Sequence, residues 1–299
     1  MIRNFHTQTM RCSVAEQPAD AADYIANMKS SDFKGWNPIG SKADLRWIGR
    51  TDLDGRPTKM EVAAMLGEYV ENDHKQISSA RNNMADLVES IDLSQLKRML
   101  QWSDSRGRVN ATRLLAGDTK FRRTFRKSAA PVEAVALVVP TNANCNVPAE
   151  VIFARTAVAL AASELLSEAG FAVEVWAIAH TYNVYRDGEN GPKDGLAAMR
   201  LKSADEPTNE AIAASGGSSW FFRTGFFAMW AAQGDANGGL GSSQRLTDEK
   251  CEEVRQAIGL EQAHVMRSGD NLSSVSEAIQ AGIADVKEAL QAWIGGGRD

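Results

Sequence analysis

The sequence predicts an α/β fold: a Rossmann-like, open, mostly parallel sheet preceded by an α-helical N-terminal region. Three observations predict it. "AVALVVP" (134–140) and "FAVEVWAIAH" (171–180) are short continuous apolar runs, as strands buried on both faces require. "PAEVIFARTAVALAASELLSEAG" (148–170) joins them, with Pro148 in its first turn and Gly170 just past its end, the asymmetry of a helix. From 57 to 103 the apolar residues recur instead at three- and four-residue spacing, which is helical.

Taken in order, residues 1–35 are polar and aperiodic, and read as a flexible arm with a short helix near 18–29. Trp36 and Trp47 stand among Gly and Pro and read as pinning a loop to a core, with an exposed partner-binding aromatic as the alternative. "PTKMEVAAMLGEYV" opens a helix at Pro57, "QISSARNNMADLVESI" continues the pattern, and "DLSQLKRMLQW" adds a third helix capped by Asp92 or Ser94. Past the second strand, "GLAAMRLKSA" (195–204) is a third strand. "SSWFFRTGFFAMWAAQG" (218–234) carries aromatics at helical intervals and is favoured as helix over strand. "LTDEKCEEVRQAIGL" (246–260) is a helix capped by Thr247 or Asp248, "AHVMR" (263–267) a strand, and 272–294 a long amphipathic helix capped by Ser273 or Ser274. The expected organisation is an arm at 1–35, a helical region at 36–105, a basic connector at 106–129 and an α/β domain at 130–299.

Composition excludes some classes. Hydrophobic residues are 43% and charged residues 24%, as in water-soluble globular chains, and no apolar run is long enough to cross a bilayer. The first residues carry no apolar signal-peptide core. Cys12, Cys145 and Cys251 form no spacing motif and fit free thiols in a reducing compartment. A cytoplasmic protein is expected, a virion component being the other intracellular product that fits. The four histidines share no ligand-like spacing, which argues against structural zinc.

Charge is unevenly placed. Arg106, Arg108, Arg113, Lys120, Arg122, Arg123, Arg126 and Lys127 face one acid, Asp118, inside a chain of net charge −5. Such asymmetry points to an acidic or phosphate-bearing partner. Phe121 and Phe125 lie among these cations. Basic residues interleaved with aromatics can bind nucleic acid, while an i, i+4 pair equally forms the buried stripe of a short helix. An acidic protein surface is the favoured partner.

The order of a basic "RVNATRLLAGDTKFRRTFRK", then "AVALVVPTNANCN", a helix, and "AGFAVEVWAIAHTYN" resembles the von Willebrand factor A-like (VWA-like) domain of the large cobalt-chelatase subunit and of bacterial partners of MoxR-type AAA+ ATPases. The resemblance covers about residues 106–185. It implies a Rossmann-like domain whose first strand ends in a metal-ion-dependent adhesion loop, D-x-S-x-S, and a AAA+ ATPase as partner. Here the Asp position holds Pro140 and the two Ser positions hold Asn142 and Asn144, so the motif is degenerate. Mg²⁺ gains most from carboxylate oxygens. This loop offers two neutral amides, with Thr181 or Asp235 as a further ligand, and no other cofactor is indicated. Asn at these positions also serves turns and helix caps.

Three functions follow as expectations. The first is a non-enzymatic interaction or scaffold module, presenting strand-end loops (140–147, 180–190, 234–243) and the basic connector to a protein partner. That partner is a AAA+ ATPase or further copies of the chain in a virus-like or mobile-element assembly. The second is an enzyme with a polar site at Asn142, Asn144, Cys145 and His180. The third is a nucleic-acid binder acting through the connector. The Gly-rich 234–243 lacks a phosphate-loop arrangement and reads as a long loop.

Overall fold

The computed structural model describes residues 1–29, 50, 58–68, 71–90, 100–103, 108–109, 122–125, 135–144, 146–169, 171–186, 191–204, 206, 208–236, 246–260, 262–266 and 272–295. Ile2–His6 (β1) and Met10–Ala15 (β2) form a hairpin, followed by the helix Pro18–Asn27 (α1). Lys59–Met65 (α2) starts in a capping box: the Thr58 side chain accepts from Glu61 N and the Glu61 carboxylate accepts from Thr58 N. Glu71–Ser90 (α3) continues the helical region. Leu100–Ser103 (β3), Arg108–Val109 (β4) and Arg122–Phe125 (β5) form a small sheet in the order β3-β5-β4.

Val135–Pro140 (β6), the helix Ala149–Ala169 (α4) and Val173–Thr181 (β7) form a parallel crossover unit. Asp194–Lys202 (β8) returns antiparallel to β7. Two helices follow, Glu210–Gly216 (α5) and the stretch 219–231 (α6). The chain then forms Asp248–Ile258 (α7), Ala263–Val265 (β9) and Val275–Gly295 (α8). The large sheet runs β1-β2-β8-β7-β6-β9. Three of its pairings are parallel (β2 with β8, β7 with β6, β6 with β9) and two are antiparallel.

Strand alternation splits the core into two layers. Val135, Leu137 and Val139 of β6 face the larger core together with Val173, Val175, Ala177 and Ala179 of β7. α4 lies over this face and packs in turn against α3 and α8, which explains why its apolar residues run round the whole helix rather than along one stripe. The other face carries Ala136, Val138, Trp176, Ile178, Cys12 and Leu196, covered by Leu246 and by Cys251, Val254, Ala257 and Ile258 of α7. Gly259 ends α7 at φ 77°, a left-handed conformation that a Cβ disfavours. No helix among the described residues is long and apolar enough to cross a membrane.

Three expectations are corrected. Residues 1–15 are not an arm: β2 is wholly buried between β1 and β8. Its polar residues hid the pattern. Arg11 lies over the Tyr185 ring at 4.3 Å and donates to Pro192 O and Gln233 O, and Ser13 donates to Asn4 Oδ1. The third helix expected over 92–102 gives way at Leu100 to strand β3, where Gln101 and Ser103 alternate with Leu100 and Trp102; residues 91–99 lie outside the described residues. The basic connector contains strands, so the helical stripe of Phe121 and Phe125 fails: Phe125 ends β5, and Phe121 is not among the described residues. The stretch 218–234 is helical as favoured, with a π segment at Phe222–Phe226, closed by Phe227 N bonding back to Phe222 O. Trp36 and Trp47 lie outside the described residues.

At Gly217 a Cβ would stand 2.2 Å from Thr156 Cγ2, and the Thr156 hydroxyl donates to Gly217 O at 2.9 Å. Gly217→Ala is expected to destabilise the protein by about 1–3 kcal/mol in urea unfolding, the usual cost of overpacking. Thr156→Ser, which removes that methyl, should recover part of the loss in the double variant. Strictly additive losses would contradict this account.

Candidate functional site

Counted from β6, the sheet order β8-β7-β6-β9 is third, second, first, fourth. The chain leaves β6 for one neighbour and later returns to the other side. The carboxyl end of β6 is therefore a topological switch point, where open α/β sheets hold ligands. The loop 140–147 occupies it, and three interactions fix its shape. Thr141 donates its N–H and its hydroxyl to Ile178 O, at 2.7 and 3.0 Å. Asn142, buried, turns its carboxamide Oδ1 to His180 N at 3.5 Å. Val147 N bonds to Asn144 O at 3.1 Å, closing a turn before α4.

Two arginines grip the loop from beneath. Arg155 of α4 donates to Pro140 O at 3.1 Å. Arg223, on the π segment, donates to Val147 O at 2.9 Å and reaches Asn144 O at 3.5 Å. Both are buried, at 3% and 1% exposure. A π turn changes the direction in which a helix aims its side chains, and here Arg223 lies within that turn and bonds to the loop. The guanidiniums thus engage the carbonyls of Pro140, Asn144 and Val147 and place two positive charges at the loop. Of the expected metal ligands, Asn142 faces β7 and Asn144 is half-buried in the turn. Thr181 is buried at the end of β7, where alternation assigns it to the α4 side. Among the described residues, no group of three or more His, Cys, Asp or Glu side chains is placed to hold a metal ion.

The expected enzyme site is brought together only in part. Asn142 and His180 meet, but Cys145 is not among the described residues. His180 instead belongs to a polar cluster on the α7 side of the sheet. Its Nε2 is 3.9 Å from Asp194 Oδ2, and its ring meets Tyr182 edge-on at 4.5 Å. Lys250 Nζ bonds Asp194 at 3.0 Å, Glu253 at 3.0 Å and Thr9 Oγ1 at 2.6 Å, and the Thr9 hydroxyl donates to Glu253 at 2.6 Å. Asn183 N donates to Asp194 Oδ1 at 3.0 Å.

Burial lowers the His180 pKa to about 4, with Asp194 opposing the shift. Burial alone would also lower Lys250, but its bonds to Glu253 and Asp194 outweigh that and hold the ammonium above its usual value. Burial, aided by Glu253, pushes the Cys12 thiol up to about 12, so this cysteine is no nucleophile. The cluster fastens α7 to the sheet. Leu246, Val254 and Ile258 supply roughly 5–9 kcal/mol of apolar transfer as an upper bound; the ion network sets where α7 docks.

Asp194, Lys250, Glu253 and Thr9 went unnoticed in the sequence, where nothing links residues so far apart. Arg155 and Arg223 did leave a signal: each is a cation inside an otherwise apolar helical run. Of the partner-binding cations, Arg108, Arg122 and Arg123 lie in strands of the small sheet. Arg106, Arg113, Lys120, Arg126 and Lys127 fall outside the described residues, as do 187–190 and 237–243 of the other two loops.

Two outcomes are expected. With its folded pKa below the unfolded value, His180 supports the fold fully above about pH 6.5 and loses that support as pH falls toward 4. His180→Gln should flatten the stability-versus-pH curve across that window; an unchanged slope would place the acid sensitivity elsewhere. Lys250 and Asp194 side chains are 13% and 12% exposed, so Lys250→Met strands two carboxylates at a cost of about 3 kcal/mol. Adding Asp194→Asn should return part of that cost in a double-mutant cycle.

Comparison of the chain with curated proteins and with solved structures gives no match. A family model does match, over residues 20–288, from within α1 to within α8. The chain belongs to the family described as Domain of unknown function (DUF7192).

Proposed function

We propose that the chain is a non-enzymatic protein-interaction module built on a VWA-like α/β domain, with the loop 140–147 as its recognition surface. The observation that carries this reading is the grip of Arg155 and Arg223 on the carbonyls of Pro140, Asn144 and Val147. A loop fixed in this way is pre-organised, and pre-organisation lowers the ordering cost of binding. Above the grip, Asn146, Pro148 and Glu150 are exposed. Support for the VWA-like reading comes from the succession β6, loop, α4, β7, with β6 and β7 parallel neighbours. With Pro140 in place of the ligating Asp and the loop carbonyls engaged by guanidiniums, recognition runs without Mg²⁺. On the resemblance, the partner is a AAA+ ATPase.

Two measurements test this. Titration of Mg²⁺ or Mn²⁺ into the protein should give no binding heat and no shift in melting temperature. Micromolar binding that disappears in Asn142→Ala with Asn144→Ala would show a working metal site instead. A photo-crosslinking amino acid at position 146, in cells that make the protein, should give one discrete adduct containing an ATPase. An adduct of twice the chain's own mass would replace the ATPase with self-association. Crosslinks from exposed position 60 on α2 but none from 146 would remove the loop from the interface.

A further inference from the structure

We propose that Phe221–Phe227, FFRTGFF, is a positioning element for the loop 140–147: two phenylalanine pairs five residues apart hold a π turn, and the π turn puts Arg223 on the loop. The functional consequence rests on the reading of that loop as a recognition surface; the positioning rests on contacts alone. In an α-helix the neighbours of residue i are i+3 and i+4, and five residues overshoot a full turn by about 140°. Here the ring pairs are i, i+5. Phe221 meets Phe226 at 5.1 Å and Phe222 meets Phe227 at 5.0 Å, both edge-on, a geometry that aromatic rings prefer. A turn closed at i+5 brings such positions onto one face. The chain contains no other pair of adjacent phenylalanines.

The three residues between the pairs complete the turn. Gly225 seats the Phe221 ring: a Cβ there would stand 2.6 Å from Phe221 Cε2 and 2.7 Å from its Cζ, so a larger residue displaces the ring. The Thr224 hydroxyl donates to Trp220 O at 2.6 Å, satisfying a carbonyl four residues back where the helical ladder changes register. Arg223 then donates to Val147 O at 2.9 Å and reaches Asn144 O at 3.5 Å. Every residue from Trp220 to Ala231 is buried, so core packing shapes the turn.

The downstream half of α6 is fixed separately. Tyr185 donates its hydroxyl to Trp230 O at 3.1 Å, and Phe227 stacks on Trp230 at 5.5 Å. With that half held, closing the turn at i+4 would rotate residues 219–223 by one residue's step, about 100°, and Arg223 would leave the loop. Arg155 bonds the other end of the loop, at Pro140 O, so the 144–147 end takes its cation from the π turn.

The test is hydrogen exchange of the loop segment 141–147, read against that of α8, in the full-length protein. Arg223→Met should speed loop exchange about 10-fold, as expected when a charge-assisted hydrogen bond is lost. Gly225→Ala should do the same, and the double variant should be no faster than either single one, since both remove one contact. Gly217→Ala, overpacked outside the turn, should accelerate the loop no more than α8. If Gly225→Ala does not fold, Phe226→Leu, which removes one ring pair, replaces it in the same cycle. Additive loop effects in the double variant would overturn the proposal. So would a loop-specific acceleration in Gly217→Ala, since either outcome reflects a general loss of stability. The crosslink from position 146, repeated in Gly225→Ala, separates the two readings. Faster loop exchange with a weakened adduct supports both, while faster exchange with an unchanged adduct upholds the positioning and overturns the recognition reading.

Discussion

The fold depends on burying β6 on both faces and along both edges. A strand in that position has no route to water for its side chains or its backbone, so β6 must be apolar throughout and paired on both sides. The parallel neighbour β7 demands a crossover helix, and α4 supplies it, itself buried between the sheet and two further helices. Polar chemistry can begin only where β6 ends. That constraint, rather than any motif, puts Thr141, Asn142 and Asn144 where they are.

Charge enters this interior in two ways. Under the loop, Arg155 and Arg223 use backbone carbonyls, which lets a buried cation fix backbone geometry directly. On the opposite side of the sheet, Lys250 bridges Asp194 and Glu253. Replacing a buried pair with apolar residues is often neutral for stability, so the weight of this cluster lies in specificity. It fixes where α7 sits along a largely apolar face, because a slipped helix would carry Lys250 and Glu253 away from Asp194 and Thr9 and strand the Asp194 carboxylate. His180 remains neutral beside it through burial, despite the Asp194 carboxylate at 3.9 Å.

The central architecture was legible in the sequence because it rests on periodicity. β6, α4, β7, β8, α7, β9 and α8 all show apolar runs or helical spacing with caps. Thr247, one of the two caps its sequence offers, begins α7. β2 was not legible, since its buried polar residues are satisfied by partners as distant as Pro192 and Gln233. The small sheet was hidden because its strands are two to four residues long and β5 opens with Arg at two successive positions, Arg122 and Arg123. At the candidate site, the position of Asn142 and Asn144 at a strand end followed from sequence, while their surroundings did not. The arginines that meet the loop arrive from α4 and α6, and only folding brings them together.

On the proposed reading, Pro140 and the two arginines together explain how a loop of VWA-like placement can be ordered without a metal. A D-x-S-x-S loop relies on a cation to draw its oxygens into one geometry. Here an imino acid stands at the Asp position, and the protein's own guanidiniums supply positive charge from below. On the proposed reading the order is the same, but its source has moved from a dissociable ion to covalently tethered cations. On that reading, recognition by such a loop would be constitutive rather than cation-gated, and its specificity would rest on the exposed shape around Asn146. Asp placed at position 140 alone would, on the same reading, supply one carboxylate beside two neutral amides, with two guanidinium charges already at the loop, so a cation site would not follow from that single change.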